Sequence, residues 1–465
     1  MGADRPGQRM HRFDAASDAL ANGVVAYALE RVRLDPPPLD GTASLSDLRD
    51  RVGRSIGRSP RDPLEVLGLF TDVLAPACVS VDHPLHLSFV PGAPTEAAVL
   101  FDLVVSASNI YGGSWLEASG AVYAENEALR WLADLAGLPA GAGGTFVSGG
   151  SAGNLSALVA ARWRWRRDGG DPRGRPLVLA SGGSHSSVLQ AAHVIDADVR
   201  RTDTDRRGRT DAAAMAALVS SLDAADRARV VAVVGTAGTT NVGVVDDLDG
   251  LGRIAADLGT WFHVDGAYGA AALCAPSVRH LFAGIERADS LIVDPHKWLF
   301  GPYDCCALLY RDPFVARRAH AQHAEYLDVL DQDDLGDEML NPSDLAYHLS
   351  RRARGLPFWF SLAVHGTDAY GEAMEETLGV ARAVASHVEA SDHLELVMEP
   401  DLSVVVVRRR GWEAGDYAAW SDRVLRDGRA FVVPSAWRGE TVLRLCIVNP
   451  RTTVAAVAGV LESMR

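Results

Sequence analysis

The chain has 465 residues, 48% of them hydrophobic and 23% charged, an ordinary globular composition that excludes a disordered chain. Its 45 Lys and Arg against 60 Asp and Glu leave a net charge of −15, which argues against nucleic acid or an anionic membrane as the main partner. Cysteines 78, 274, 305, 306 and 446 show no Cys-x-x-Cys spacing and fit a reducing compartment. Met1 to Asp14 is charged and has no apolar h-region, and no apolar run reaches membrane-spanning length; the reading is a soluble, cytoplasmic protein.

In chain order, residues 14–35 and 44–75 carry apolar residues at three- and four-residue spacing and predict two helices separated by Pro36-Pro37-Pro38. Residues 1–94 are thus read as an N-terminal helical segment that covers a partner subunit. From about 95 to 310 short apolar runs alternate with Ala-rich helices, and 177–180, 230–234, 261–264 and 290–293 are the clearest strands. Continuous apolar runs imply strands covered on both faces, hence a large, mostly parallel α/β domain over 95–355. The basic and aromatic run 162–167 is read as the solvated end of a helix, and 328–345 as an acid-rich loop. A helix over about 357–390 and strands over 402–408, 430–433 and 442–448 predict a small C-terminal α+β domain, 356–465.

Two residues carry the chemistry. Lys297 follows the apolar run Leu291-Ile292-Val293, and Asp265 closes the run Trp261–Val264. A lysine at the end of a buried strand can lose its proton and condense with an aldehyde, and an aspartate at a neighbouring strand end can hold a ring nitrogen protonated. Pyridoxal phosphate asks a protein for that pair. Ser148-Gly149-Gly150-Ser151-Ala152-Gly153-Asn154 opens a helical run and exposes backbone N–H groups, which suits a phosphate; beside Lys297 and Asp265 the phosphate reading outweighs a plain turn and cap. His185, in Ser184-His185-Ser186-Ser187, either stacks on an aromatic cofactor or lies in an exposed loop. Gly235-Thr236-Ala237-Gly238-Thr239-Thr240 is either a polar turn or a further part of the same edge.

These motifs, with His-Val-Asp-x-Ala-Tyr and Asp-Pro-His-Lys-Trp, occur in an order that resembles the group II pyridoxal-phosphate-dependent amino-acid decarboxylases, from about His83 to Arg444. The resemblance implies an aspartate aminotransferase-like fold (fold type I), a homodimer, and loss of CO2 from an L-amino acid. It implies that Lys297 bonds to the cofactor aldehyde, Asp265 binds the ring nitrogen, and His185 and Ala267 flank the ring. Gly150, Ser151 and His296 would hold the phosphate and Thr239 would touch the cofactor near the lysine. Tyr326 matches a loop tyrosine that protonates the substrate's α-carbon, and Arg444 an arginine associated with the substrate carboxylate.

The family builds its side-chain pocket from the region equivalent to 83–117, so His83, Phe89, Val90, Trp115 and Glu117 are candidate substrate residues. Gly92 and Gly113 stand where the aromatic decarboxylases carry threonine and phenylalanine, which predicts more room or a loop that moves inward. Glu117 either faces solvent or recognises a cationic or hydroxylated substrate. A bulky apolar or aromatic L-amino acid is the first choice. Competing readings are aldehyde formation, transamination or another reaction on the same fold, a non-catalytic relative, and a nucleotide-binding oxidoreductase, which the missing glycine fingerprint disfavours. His320 and His323 have metal-compatible spacing but no third ligand in view, so an exposed helix is expected there and no metal; His263 is read as lying within its strand.

Overall fold

In the computed structural model, residues 10–322 and 340–465 are described. The N-terminal segment forms α1 (Ala15–Arg33), α2 (Leu45–Val52) and α3 (Pro63–Leu69), each started by an aspartate or serine side chain that accepts from first-turn N–H groups. The second predicted helix is therefore interrupted. Gly53 ends α2 at φ 60, and the chain regains helix only at Pro63, continuing into a π-turn over Phe70–Leu74. None of these three helices contains a buried residue. Then α4 (Glu96–Ser108) and α5 (Trp115–Leu135) pack against the start of the C-terminal region.

The frame of the molecule is a seven-stranded sheet. Its strands are β1 (Gly143–Val147), β2 (Leu177–Ala180), β3 (Asp198–Arg201), β4 (Val230–Thr236), β5 (Trp261–Asp265), β6 (Ser290–Val293) and β7 (Cys306–Tyr310), in spatial order β1-β7-β6-β5-β4-β2-β3. Only β7 runs against the others. Every residue of β2, β4, β5, β6 and β7 is buried, as their unbroken apolar runs require. Helices α6 (Gly150–Arg167), α7 (Ser186–Val194), α8 (Ala212–Ser220), α9 (Ala224–Ala228), α10 (Leu248–Asp257) and α11 (Pro313–His320) connect or flank these strands. The basic end of α6 is less solvated than expected. Arg164 pairs with Asp289 at 3.1 Å and lies over the Trp261 ring, and Arg162 donates to the Ile195 carbonyl.

Past the large sheet, the single helix expected over 357–390 is two, α12 (Leu356–His365) and α13 (Thr367–Glu389), because Gly366 sits at φ 75 between them. Four antiparallel strands, β8 (Leu394–Met398), β9 (Val404–Arg409), β10 (Pro434–Trp437) and β11 (Glu440–Cys446), form the small sheet with α14 (Ala414–Arg426) and α15 (Val454–Glu462). The strand expected over 430–433 is displaced. Phe431 makes only an isolated bridge to His86, and the paired strand begins at Pro434. That bridge has a consequence for the site, because it draws the segment 85–89 onto the small sheet.

Candidate active site

The carboxyl ends of the parallel strands converge on one cavity of about 330 Å³. β1 delivers Ser148–Ser151 and the start of α6, the turn after β2 delivers His185, and β4 delivers Thr236, Gly238 and Thr240. β5 ends in Asp265, followed by Ala267 and Tyr268, while β6 leads into Asp294, His296 and Lys297. Trp298 locks the lysine turn: it is fully buried, stacks on Tyr268 at 5.3 Å, and donates to Thr377 Oγ1 at 3.1 Å. The sheet thus brings Lys297, Asp265, His185, Gly150, Ser151, Ala267 and His296 to the same wall-to-wall space.

Asp265 is 4% exposed; its Oδ2 accepts from Asn154 Nδ2 at 3.0 Å and its Oδ1 from the Ala267 N–H at 3.2 Å. Neither partner is a cation, so the carboxylate is held by hydrogen bonds and keeps acceptor capacity towards the cavity. Lys297 has a closer anion than Asp265. Its Nζ lies 2.8 Å from Asp294 Oδ2, and Asp294 is 1% exposed. Burial pulls the lysine ammonium down in pKa, but Asp294, by charge and hydrogen bond, and Asp265 outweigh it and leave the amine above its ordinary value. Burial likewise opposes ionisation of Asp294, and Lys297 with His296 reverses that and holds its carboxyl below the usual range. In the cofactor-free enzyme Asp294 thus favours the charged, paired form of the amine against the pull of burial.

The glycines of the first loop are required by proximity. A Cβ on Gly150 would lie 3.2 Å from both Ala267 Cβ and Asp294 Oδ2, and one on Gly153 would lie 2.6 Å from Ile292 Cγ2. No side chain caps α6, whose N-cap is Gly149, so its first N–H groups are available to an anion. An amine, a buried acceptor carboxylate and an uncapped helix N-terminus around one cavity fit an aldehyde-bearing, phosphorylated aromatic cofactor. His296 contributes a ring that tilts onto Tyr303 at 4.7 Å while its Nδ1 accepts from the Cys305 N–H at 3.1 Å.

Other predicted residues go elsewhere. Thr239 does not reach the cavity: it is 2% exposed, its Oγ1 accepts from the Val244 N–H at 3.3 Å, and Thr240 and Thr236 take the lining positions. The turn after β4 folds back on Val244, and that hydrogen bond turns Thr239 inward. None of His83, Phe89, Val90, Trp115, Glu117 or Arg444 lines the space around Lys297. Segment 85–89 instead pairs with the small sheet, Leu87 N donating to Phe431 O and Cys446 N to Leu87 O, which fixes His83 and Val90 in packed surroundings and leaves Phe89 64% exposed. His83 Nδ1 accepts from the Leu85 N–H, and burial lowers its pKa. Trp115 opens α5, where its N–H donates to Asn341 Oδ1, and Glu117 accepts from the N-cap hydroxyl of Ser114 at 2.9 Å. Arg444 is 6% exposed and donates to the Phe89 carbonyl at 2.6 Å; no carboxylate pairs with it among the described residues.

Of the two outcomes expected at Gly92 and Gly113, more room or a loop that moves inward, close packing agrees with the second. A Cβ on Gly92 would sit 2.4 Å from the His296 carbonyl oxygen, and one on Gly113 would sit 2.3 Å from Tyr111 Cζ, so backbone and ring fill the vacated space. His320 is buried rather than exposed, with Nε2 3.0 Å from the Ser156 carbonyl, and burial lowers its pKa to about 4. Tyr326 and His323 lie outside the described residues. Sequence reasoning gave no role to Asp294, Asn154, Ser187 or Tyr303, although three of them stand inside or beside the quoted motifs. A polar Asn154 on the otherwise small, buried face Ala152-Gly153-Ala157 was the available signal.

The family model of the pyridoxal-dependent decarboxylase conserved domain matches residues 47–410. An aromatic-L-amino-acid decarboxylase of Bacillus atrophaeus is 30% identical over 442 residues, covering 93% of this chain and 91% of that protein. An L-2,4-diaminobutyrate decarboxylase of Rhizobium meliloti (strain 1021) is 31% identical over 461 residues, covering 97% and 88%. The crystal structure of Oryza sativa TDC with PLP and tryptamine superposes with a TM-score of 0.87 at 24% identity, covering 100% of this chain and 98% of that one, and shares the fold. With the lysine, the carboxylate and the helix N-terminus already in one cavity, these matches settle the family: the chain belongs to the pyridoxal-dependent decarboxylases and is a pyridoxal-phosphate-dependent carboxy-lyase.

Proposed function

We propose that the enzyme converts a bulky apolar or aromatic L-amino acid to its amine and CO2. The observation that carries the reading is the convergence of Lys297, Asp265 and the α6 N-terminus on one cavity. Bound pyridoxal phosphate supplies the electron sink for the pair left on Cα when the carboxylate departs. In this reading Lys297 is the amine that would hold the cofactor. Asp265 keeps the ring nitrogen protonated, His185 and Ala267 confine the ring, and Gly150, Ser151 and the N–H groups beside them bind the phosphate together with His296. Arg444 does not itself line the cavity but lies beside the lining residue Tyr268 and beside Cys446, where its charge opposes the upward pull of burial on both, and it is the cation assigned to the substrate carboxylate. Tyr326 delivers the proton to Cα. Substituting phenylalanine there shifts product from amine towards aldehyde; an unchanged ratio removes Tyr326 from the mechanism.

The apolar preference is supported by the Bacillus relative and by a neighbouring cavity of about 540 Å³ that shares Tyr303 and is walled by Val99, Phe300, Pro302 and Tyr370. The Rhizobium relative, named for a cationic substrate, supports a second reading. A panel of the protein amino acids with 2,4-diaminobutyrate, scored separately for CO2, amine, aldehyde and keto acid, tests both. Turnover of diaminobutyrate alone overturns the apolar reading.

The same reading includes a homodimer in the cytoplasm. Val24, Val25, Leu64, Val66 and Phe70 of the N-terminal segment, with Leu100, Leu103 and Val104 of α4, are exposed apolar side chains suited to cover by a second subunit. No helix among the described residues is long and apolar enough to cross a membrane. Light scattering at monomer mass with cofactor present overturns the dimer.

A further inference from the structure

Behind Asp265 lies a run of buried polar side chains that the roles above leave unused. Trp261 Nε1 donates to Ser290 Oγ at 2.7 Å, Ser290 Oγ is 2.8 Å from His263 Nδ1, and His263 Nε2 is 2.8 Å from Asn154 Oδ1. Asn154 Nδ2 then donates to Asp265 Oδ2 at 3.0 Å and to Ser187 Oγ at 2.8 Å, and Ser187 Oγ is 2.8 Å from His185 Nδ1. The parallel pairing of β5 with β6 sets His263 directly beside Ser290, and both are fully buried.

The end groups fix the direction of each hydrogen. An indole N–H only donates, so Ser290 accepts from Trp261, which leaves its own hydrogen free for His263 Nδ1. His263 then carries its proton on Nε2 and donates it to Asn154 Oδ1. From the other end, a carboxylate only accepts, so the amide nitrogen of Asn154 must face Asp265 and its oxygen must face His263. The two directions agree. At His185 the Ser187 backbone N–H donates to Nδ1 at 3.2 Å, so that nitrogen is unprotonated and the single ring N–H is on Nε2. Burial supports the neutral state of His263 by lowering its pKa to about 4.

We propose that His263, oriented by Ser290, is a positioning residue for the reaction: through Asn154 it holds Asp265 as an acceptor for the cofactor's ring nitrogen, and through Asn154 and the Ser187 hydroxyl it backs the Nε2–H form of His185 that the Ser187 N–H sets. This rests on the reading that Asp265 and His185 face the cofactor. Without the His263 donor the buried Asn154 carbonyl loses its partner, and the amide is held only at its nitrogen end by Asp265 and Ser187, which loosens the donor that fixes the Asp265 carboxylate.

The test uses His263→Gln, which keeps one donor and one acceptor, against His263→Phe, which keeps neither. Two readouts apply to the cofactor-free enzyme: the tautomers of His185 and His263 from 15N-histidine spectra, assigned with His185→Gln, and the dissociation constant of pyridoxal phosphate. The wild type is expected to show Nε2–H at both rings. The Phe variant is expected to weaken cofactor binding about tenfold, the scale of one lost hydrogen bond to a charged group, and to move the His185 signals; the Gln variant stays within about twofold. Wild-type His185 protonated on Nδ1, or equal losses for Phe and Gln, overturns the proposal. Should the Phe variant lack a cooperative melt, Ser290→Ala carries the test, with a smaller loss of the same sign expected and no loss fatal. Borohydride labelling separates the two levels: label away from Lys297 removes the underlying reading and this proposal with it, whereas label on Lys297 with equal Phe and Gln losses removes the proposal alone.

Discussion

The cofactor end of the cavity is read from ordered motifs and the segment 83–117 from its equivalence to a family region, and the fold treats them differently. At the cofactor end each residue hangs on the end of a buried parallel strand, so a strand that ends correctly places its side chain correctly. Lys297, Asp265 and His185 share one cavity for that reason. Segment 83–117 has no such rail. Its first half is captured by the small sheet and its second half by the start of α5, and none of its candidates lines the space around the lysine. Strand ends transmit function from sequence to place; loops transmit it only through the partners that hold them.

The sharpest test of the cofactor end is Lys297→Ala. No borohydride-trapped cofactor should remain on the protein, and turnover should fall by several orders of magnitude. Residual label on another lysine would dissolve the comparison, since the strand-end placement would then be irrelevant to chemistry. Next in size is Asp294→Asn. Only an unprotonated amine attacks an aldehyde. Asp294 raises the lysine's pKa against the pull of burial, so removing its charge leaves burial dominant and lowers that pKa. The pH profile for covalent capture of cofactor by the cofactor-free enzyme should therefore move to lower pH, with capture on its acid limb faster by about tenfold for each pH unit moved. A profile that stays in place would show that the 2.8 Å pair does not control the amine.

The large sheet and the place of the residues that line its cavity were legible because their signals are local. An unbroken apolar run predicts a doubly covered strand, and the residue after it falls at the sheet edge whatever the rest of the chain does. Thr239 stands one position from the lining residue Thr240, since a turn that folds back on Val244 decides between two adjacent threonines and no local pattern encodes that choice. Asp294 was visible in its motif but its partnership with Lys297 depends on a three-residue turn closing, Lys297 N donating to Asp294 O. Phe431 and the segment 85–89 were illegible for a stronger reason: their bridge joins residues more than three hundred positions apart, beyond any periodicity.

Gly92 and Gly113 probe the substrate side with smaller effects, and they rank each other. A Cβ on Gly92 meets backbone, the His296 carbonyl, which cannot yield without moving the lysine turn. A Cβ on Gly113 meets the far end of the Tyr111 ring, which can swing aside after losing its hydrogen bond to the Leu349 carbonyl. Gly92→Ala should thus cost about 1–3 kcal/mol of stability and also weaken cofactor binding, while Gly113→Ala costs about 1 kcal/mol and leaves cofactor affinity unchanged. Thermal melts with and without pyridoxal phosphate measure both. The reverse order would mean that the loop at 113, not the one at 92, is held against the lysine turn.

The smallest expected effect concerns Glu117, where a substrate role and a structural role make opposite forecasts. Ser114 is the N-cap of α5, its hydroxyl accepting from the Glu117 N–H at 3.3 Å and donating to Glu117 Oε2 at 2.9 Å. This is a local cap that orders the first turn. Glutamine retains the side-chain acceptor and loses only the charge, which at a helix N-terminus is worth about 0.3–1 kcal/mol. Glu117→Gln should therefore lower the melting temperature slightly and leave kcat and KM within about twofold for apolar and cationic substrates alike. A KM that rises selectively for a cationic amino acid would reverse the assignment, and would mean that this end of the substrate segment reaches a cavity that a single chain does not close around it.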